Sequence, residues 1–214
     1  MKAVLFDAVG TLFAVRGSVG AIYSEQARPF GIEVDPLTIE KRFRQAFAAR
    51  RAPAADARQW WHQLLVQIFA DTNFPEFERY FEQVWHYFAT AAAWQLFPET
   101  AHVLKVLRER HLRLAVVSNF DERLYPVLRA LDLASYFEAV AISTEVGFAK
   151  PDPRLFVYAL QQLGCTADEA VHVGDSPEDV IGAEAAGIRA FKVVRDAEPE
   201  ADAISSLTQL MERF

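Results

Sequence analysis

The sequence predicts an α/β fold, a doubly wound parallel sheet interrupted by a block of helices, and three observations carry that prediction. Short apolar runs bounded by turn residues recur along the chain, helical patterns separate them, and one long stretch, residues 18 to about 94, shows helical periodicity with almost no strand signal. Strands that alternate with helices argue for a parallel sheet covered on both faces.

Taken in order, the first strand is AVLF (3–6), which runs into Asp7 and the turn DAVGTL. The helical block follows. Asp35 before Pro36 marks a helix start for residues 36–50. Trp61, Leu64, Leu65, Ile68 and Phe69 form one apolar stripe at helical spacing, and Phe77, Tyr80, Phe81, Val84, Trp85 and Phe88 form another. These residues read as the core of a helical subdomain, with the off-stripe Trp60 and Tyr87 the candidates to face a ligand instead. The Ala/Arg-rich stretch AARRAPAADAR (48–58) reads as a loop between two helices. Beyond the block, helical patterns at 98–110, 121–131 and 153–163 alternate with the strands LAVVS (114–118), AVAIS (139–143), AVHV (170–173) and RAFKVV (189–194).

Composition bounds the function. The 214 residues suit one domain, or one with a large insertion, at about 150 residues per domain. A net charge of -7 gives no electrostatic footprint for nucleic acid or an anionic membrane, so neither is an expected partner. An anionic substrate would need a local positive site. The single cysteine, Cys165, excludes an intramolecular disulfide and a Cys-clustered metal site, and fits a reducing compartment; a cytoplasmic location is expected. The N-terminal run before Asp7 is too short for a signal-peptide core, and no run approaches the roughly 18 to 20 apolar residues of a membrane span.

In open parallel sheets, ligands collect at the carboxyl ends of the strands. Asp7 follows the first strand, Ser118 and Asn119 end LAVVS, Lys150 lies in the loop after AVAIS, and Asp175 and Asp179 follow AVHV in VGDSPEDVIGA. Singly, each has a structural reading: a helix-capping acid, a Ser-Asn turn, a solvated lysine, an acidic helix start. Together they place three carboxylates at one sheet edge, where like charges about 4 Å apart cost about 4 kcal/mol per pair at an effective dielectric near 20. A cation must sit there. Oxygen ligands without His or Cys suit a hard divalent ion, Mg²⁺ foremost.

In order, type and spacing these residues resemble the haloacid dehalogenase superfamily of hydrolases, over the whole chain. DAVGTL is similar to that family's first motif, VVSNF to its second, GFAKPDPRLF to its third and VGDSPEDVIGA to its fourth. The helical block resembles the family's helical cap, and the pairing of ARQWWHQLL with VVSNFDERL resembles one subgroup in particular. The resemblance implies a Rossmann-like core over residues 1–15 and 95–214, a cap over 16–94, and a small, phosphorylated substrate. It implies that Asp7 is a nucleophile forming an aspartyl intermediate, that Ser118 donates to a phosphoryl oxygen, and that Lys150 neutralises charge and restrains Asp7. It implies substrate-binding positions at Thr11 and Asn119. It also implies Mg²⁺ held by Asp7, the backbone carbonyl of Val9 and Asp175, with Asp179 a direct or outer ligand. No feature of the sequence specifies an oligomeric state.

One position breaks the pattern. Phosphatases of this family carry a second Asp two residues after the nucleophile, as acid for the leaving group and then base for water; here it is Val9. Three readings follow. One is a Mg²⁺-dependent phosphohydrolase with weak turnover, or with a substrate whose leaving group departs readily, such as an acyl or aryl phosphate. Another is a metal-independent 2-haloacid dehalogenase, whose relatives lack an acid at this position but also lack the one kept here as Asp175. The third is a binding or regulatory protein on a degenerate hydrolase frame. A phosphonate hydrolase would need a cap lysine, and the only one, Lys41 in EKRFRQ, reads as part of a solvated helix face. His62 and His86 are the candidates to replace the missing acid, weighed against partly exposed helix histidines with no catalytic task.

Overall fold

The structure, a computed structural model, describes residues 1–49, 56–195 and 203–213. Most of the Ala/Arg-rich stretch 48–58 therefore lies outside the described residues. The chain begins with β1 (Ala3–Phe6) and β2 (Phe13–Val15), then runs through α1 (Val19–Ala27), α2 (Pro36–Ala48), α3 (Ala57–Ile68) and α4 (Phe77–Tyr87). It returns through β3 (Trp94–Leu96), α5 (Thr100–Glu109), β4 (Arg113–Ser118), α6 (Leu124–Ala130) and β5 (Ala139–Ile142). The last part comprises α7 (Ser143–Val146), α8 (Pro153–Leu163), β6 (Ala170–Gly174), α9 (Pro177–Ala185), β7 (Arg189–Val193) and β8 (Ala203–Ile204).

Six strands form one parallel sheet in the order β5-β4-β1-β6-β7-β8. Alternate side chains of a strand point to opposite faces, and the sequence fills both. Val4, Phe6, Val116, Val171 and Val173 pack with α5 and α6 on one face. Ala3, Leu5, Ala115, Val117 and Ala141 meet Leu155, Phe156 and Ala159 of α8 and Ala183 of α9 on the other. The small residues of the second face admit α8 and α9 closely. From β1 the chain builds outward to β4 and β5, then restarts at β6 and builds the other way, so the winding reverses between β1 and β6. That reversal opens a crevice at the strand carboxyl ends.

Local chemistry ends the helices that frame this crevice. The Asp152 carboxylate accepts the Arg154 N–H at the start of α8, Pro153 occupies the first turn, and Gly164 closes the helix in a left-handed conformation. Ser176 caps α9 in a capping box whose reciprocal acid is Asp179. The helix expected at 121–131 begins only at Leu124, because the Asp121 carboxylate takes both the Arg123 N–H and its guanidinium and holds residues 121–123 in a turn.

Helices α1 to α4 leave and rejoin the sheet through an antiparallel pair, β2 with β3, that three-residue strands do not announce in sequence. Trp94 packs its ring edge-on to Phe13, 5.2 Å between centroids, and donates its indole N–H to Phe88 O at 3.1 Å. Both predicted stripes face inward: Leu64, Leu65, Ile68, Tyr80, Phe81, Val84 and Trp85 are buried. Tyr80 donates its hydroxyl to Tyr23 O at 3.1 Å. Arg123, just beyond β4, reaches across to these helices, its guanidinium carbon 3.6 Å from the Trp85 ring centroid. No helix among the described residues is long and apolar enough to cross a membrane.

Two leucines calibrate this packing. Leu5, in the central strand, is 0% exposed, whereas Leu37 is 79% exposed. Urea unfolding is expected to show Leu5→Ala losing about 2–5 kcal/mol and Leu37→Ala changing by less than about 0.5 kcal/mol.

Candidate active site

Five of the carboxyl-end residues converge where the winding reverses. The Lys150 ammonium donates to Asp7 Oδ1 and to Asp179 Oδ1, each at 2.6 Å. Ser118 Oγ donates to the same Asp7 Oδ1 at 3.0 Å. Among the described residues, both side-chain hydrogen bonds to Asp7 therefore fall on one oxygen, leaving Oδ2 without one. Asp7, Asp175 and Asp179 each offer an oxygen, all within 4.8 Å of one another.

Asp179 is saturated. Its Oδ1 meets Lys150 and His172 Nε2, the latter at 2.9 Å, while Oδ2 accepts the Ser176 N–H at 3.1 Å and its hydroxyl at 2.7 Å. A carboxylate has about four lone-pair sites, so none is left for a direct metal bond. Of the two roles expected for Asp179, the structure favours the outer one: it grips Lys150 from behind. Asp7 and Asp175 keep oxygens free.

The electrostatics follow from burial. Desolvation, with Asp179 adding to it, pushes the Asp7 carboxyl up to about 6 against the pull of Lys150. Burial works against the Lys150 ammonium, but Asp7 and Asp179 outweigh it and hold the group up at about 12. Burial also opposes ionisation of Asp179, yet Lys150 and His172 win and hold it well below the usual carboxylate range. Burial and the nearby Asp179 push Asp175 up. Three carboxylates against the Lys150 ammonium leave an excess of negative charge, with repulsion of about 3–4 kcal/mol per carboxylate pair at an effective dielectric near 20. The oxygen-only donor set and that charge deficit both fit one hard divalent cation.

Two glycines make the crowding possible. A Cβ on Gly10 would lie 2.2 Å from Asp175 Oδ2, and one on Gly174 would lie 2.2 Å from Asp179 Cγ. Gly10 also adopts φ +91, a region that L side chains rarely occupy.

Asp7, Val9, Ser118, Asn119, Lys150 and Asp175 line a cleft of ≈ 1190 Å³, walled on the helical side by Phe47, Trp60 and Trp61. Asn119 reaches it with a side chain already engaged: its Oδ1 accepts the Lys150 N–H at 2.7 Å and its Nδ2 donates to Lys150 O at 3.1 Å. It fixes the lysine's main chain and keeps one N–H for a ligand. Thr11 departs from its expected substrate-binding place. It is fully buried, absent from the cleft wall, and its Oγ1 has no hydrogen-bond partner among the described residues. The tight turn in which Gly10 N–H donates to Phe13 O carries it inward.

Trp60 does face the cleft, whereas Tyr87 donates its hydroxyl to Ala92 O at 3.3 Å. His62 pairs with Glu78 at 3.0 Å, His86 Nδ1 contacts Glu82 O at 2.7 Å, and neither lines the cleft; nor does Lys41. Three further features of the site are not marked by the motifs: Phe47, His172 and the buried Asp121–Arg123 pair at 2.6 Å. The pair had a signal, since Asp-x-Arg occurs again at Asp152–Arg154 with the same fork of hydrogen bonds. Buried His172 had none beyond its place in a strand.

Comparison with known proteins agrees with this geometry. Residues 1–187 match the family model described as haloacid dehalogenase-like hydrolase. Haloacid dehalogenase-like hydrolase domain-containing protein 3 of Mus musculus is 34% identical, covering 99% of this chain and 92% of the relative; it is the subgroup that the segments ARQWWHQLL and VVSNFDERL resemble. A solved HAD phosphatase from Thermococcus onnurineus is 28% identical with a TM-score of 0.71, covering 100% of this chain and 97% of that one. A 2-haloacid dehalogenase from Pseudomonas syringae pv. Tomato DC3000 is also 28% identical, with a TM-score of 0.70 and coverage of 99% and 97%.

Gly10 and Gly17 share a positive φ, but a Cβ on Gly17 would meet nothing within 4 Å. Gly17→Ala is therefore expected to cost only backbone strain, about 1–2 kcal/mol. Gly10→Ala should cost more, because Asp175 must also move. Thermal unfolding of the two variants checks this, at about 2–4 °C per kcal/mol for a chain of this size; equal losses would contradict the close Gly10–Asp175 approach.

Proposed function

The chain belongs to the haloacid dehalogenase-like hydrolases, and we propose that within that family it is a Mg²⁺-dependent phosphohydrolase acting through an aspartyl intermediate on a small phosphorylated metabolite. The observation that carries this reading is Asp175. The solved phosphatase and the solved dehalogenase are alike in identity to this chain, so likeness does not choose between them. A second acid with free oxygens beside Asp7 supports the phosphohydrolase reading, because a divalent cation would use it.

In this reading Asp7 and Asp175, with the Val9 carbonyl, would hold Mg²⁺, which would supply neutralisation of phosphoryl charge. Asp7 Oδ2, the oxygen without a hydrogen bond, attacks phosphorus in line. Lys150, held on Oδ1, restrains the carboxylate and keeps its third N–H for the phosphoryl group, while Ser118 turns its single hydroxyl hydrogen from Oδ1 to a phosphoryl oxygen as charge shifts onto it. Burial of Asp7 raises its basicity, and with it the nucleophilicity of its anion. Residues 1–15 and 95–214 form the core that carries these groups, and residues 16–94 form a cap that shields them from water.

Val9 lines the cleft where a proton donor would stand, and it transfers no proton. General acid–base catalysis is worth about 10²–10⁴ in rate, so substrates whose leaving group departs unprotonated are favoured. That same residue favours a second reading, 2-haloacid dehalogenation, whose halide needs no proton.

Val9→Asp is expected to raise steady-state turnover of alkyl phosphates by about 10²-fold or more, and Asp7→Asn to abolish turnover, both read by phosphate release. EDTA should silence the wild-type protein and added Mg²⁺ restore it. Chloride release from 2-chloropropionate in EDTA would instead establish the dehalogenase reading.

A further inference from the structure

Beside the cleft lies a second, mostly apolar cavity of ≈ 310 Å³ between the inserted helices and the loop after β4. The two cavities share five wall residues: Val9, Phe47, Trp61, Asn119 and Phe120. A phosphoryl group placed at Asp7 would therefore direct its substituent past Val9 into this space. The remaining walls are nearly all hydrocarbon and aromatic, Phe81, Val84, Trp85, Phe88 and Trp94 among them.

Its polar groups are few: Arg123, Asn119, the Tyr23 hydroxyl and the indole N–H groups of Trp61, Trp85 and Trp94, the last donating to Phe88 O. Arg123 is forked onto Asp121 at 2.7 and 2.6 Å, with its plane against Trp85. Asn119 holds the Lys150 main chain and has one N–H to spare. A polyol entering here would find fewer partners than its hydroxyls need, because the polar groups are scattered singly among aromatic and aliphatic side chains and buried hydroxyls left unpaired are costly. A flat ring would lose nothing and would meet aromatic edges. The size agrees: a cavity of about 150 Å³ is known to hold benzene, so this one has room for a bicyclic ring system.

Resting on the phosphohydrolase reading above, we infer that the substrate is an aryl phosphate, whose aromatic ring occupies this cavity and whose phenolate leaves without a proton. The pocket and Val9 thus select the same molecule for independent reasons. Asp7 Oδ2 forms a bond to phosphorus while the phosphorus–oxygen bond to the ring breaks, and the phenolate leaves with the electron pair. Water then attacks phosphorus, loses its proton to solvent, and releases phosphate, which returns the Asp7 carboxylate. No oxidant or co-reactant is consumed.

The test separates ring from leaving group. With Mg²⁺, kcat/KM is measured for 2-naphthyl phosphate, for cyclohexyl phosphate, which is apolar but has a basic leaving group, and for acetyl phosphate, which leaves easily but has no ring. The ring is probed without turnover by calorimetric titration of 2-naphthol. The expected result is that 2-naphthyl phosphate exceeds each of the others at least 10-fold, that 2-naphthol binds, and that it competes with 2-naphthyl phosphate. Val84→Phe, its fold checked by thermal unfolding, should weaken 2-naphthol binding at least 10-fold; Val19→Phe, a wall residue on another helix, serves if Val84→Phe does not fold. Acetyl or cyclohexyl phosphate matching 2-naphthyl phosphate, or no binding of 2-naphthol, would overturn the aryl assignment alone. No turnover of any of the three would overturn the phosphohydrolase reading, and the substrate assignment with it.

Discussion

One ammonium group, Lys150 Nζ, stands 2.6 Å from each of two carboxylates that would otherwise repel each other at a dry sheet edge. Much else in the fold serves to keep it there. Asn119 holds its main chain from both sides, His172 and Ser176 hold Asp179 behind it, and the capping box that starts α9 is the same set of bonds that fixes Asp179. The helix start and the charge centre are one structure. Removing one partner of such a buried, hydrogen-bonded pair leaves the other charge uncompensated, typically at about 3–5 kcal/mol.

That arrangement explains why a non-acidic residue is tolerated at Val9. Its side chain makes no part of the Lys150 network, so the charge centre forms whether or not position 9 carries a proton. What changes is the chemistry downstream. On the phosphohydrolase reading proposed above, with neither acid nor base at that position, the first step would depend on the leaving group and the second on unassisted water. A readily departing phenolate relieves the first step and not the second.

The fold was legible because both of its periodicities are strong: near-continuous apolar runs for strands buried on two faces, and 3.6-residue stripes for the helices. The β2–β3 pair was not, since three residues a side carry no period, and the start of α6 was displaced by a side chain, Asp121, that competes for backbone. At the site, Asp7, Ser118, Lys150, Asp175 and Asp179 were legible from their places after strands. Thr11 was misplaced because the turn at Gly10 buries it, and the spacing of residues does not reveal on which side of a turn a side chain falls. The aromatic cavity was invisible as a cavity: Phe81, Val84 and Trp85 read as core, and they are core, but core that lines a space.

The proposed mechanism makes Asp7 a covalent nucleophile whose intermediate is cleared slowly. Acid-quenching the protein during turnover of 4-nitrophenyl phosphate with Mg²⁺, followed by intact mass and peptide mapping, measures this directly. The expected result is close to one phosphoryl group per chain, located on Asp7. A chain that stays unmodified throughout turnover, or carries the group on another residue, would contradict it.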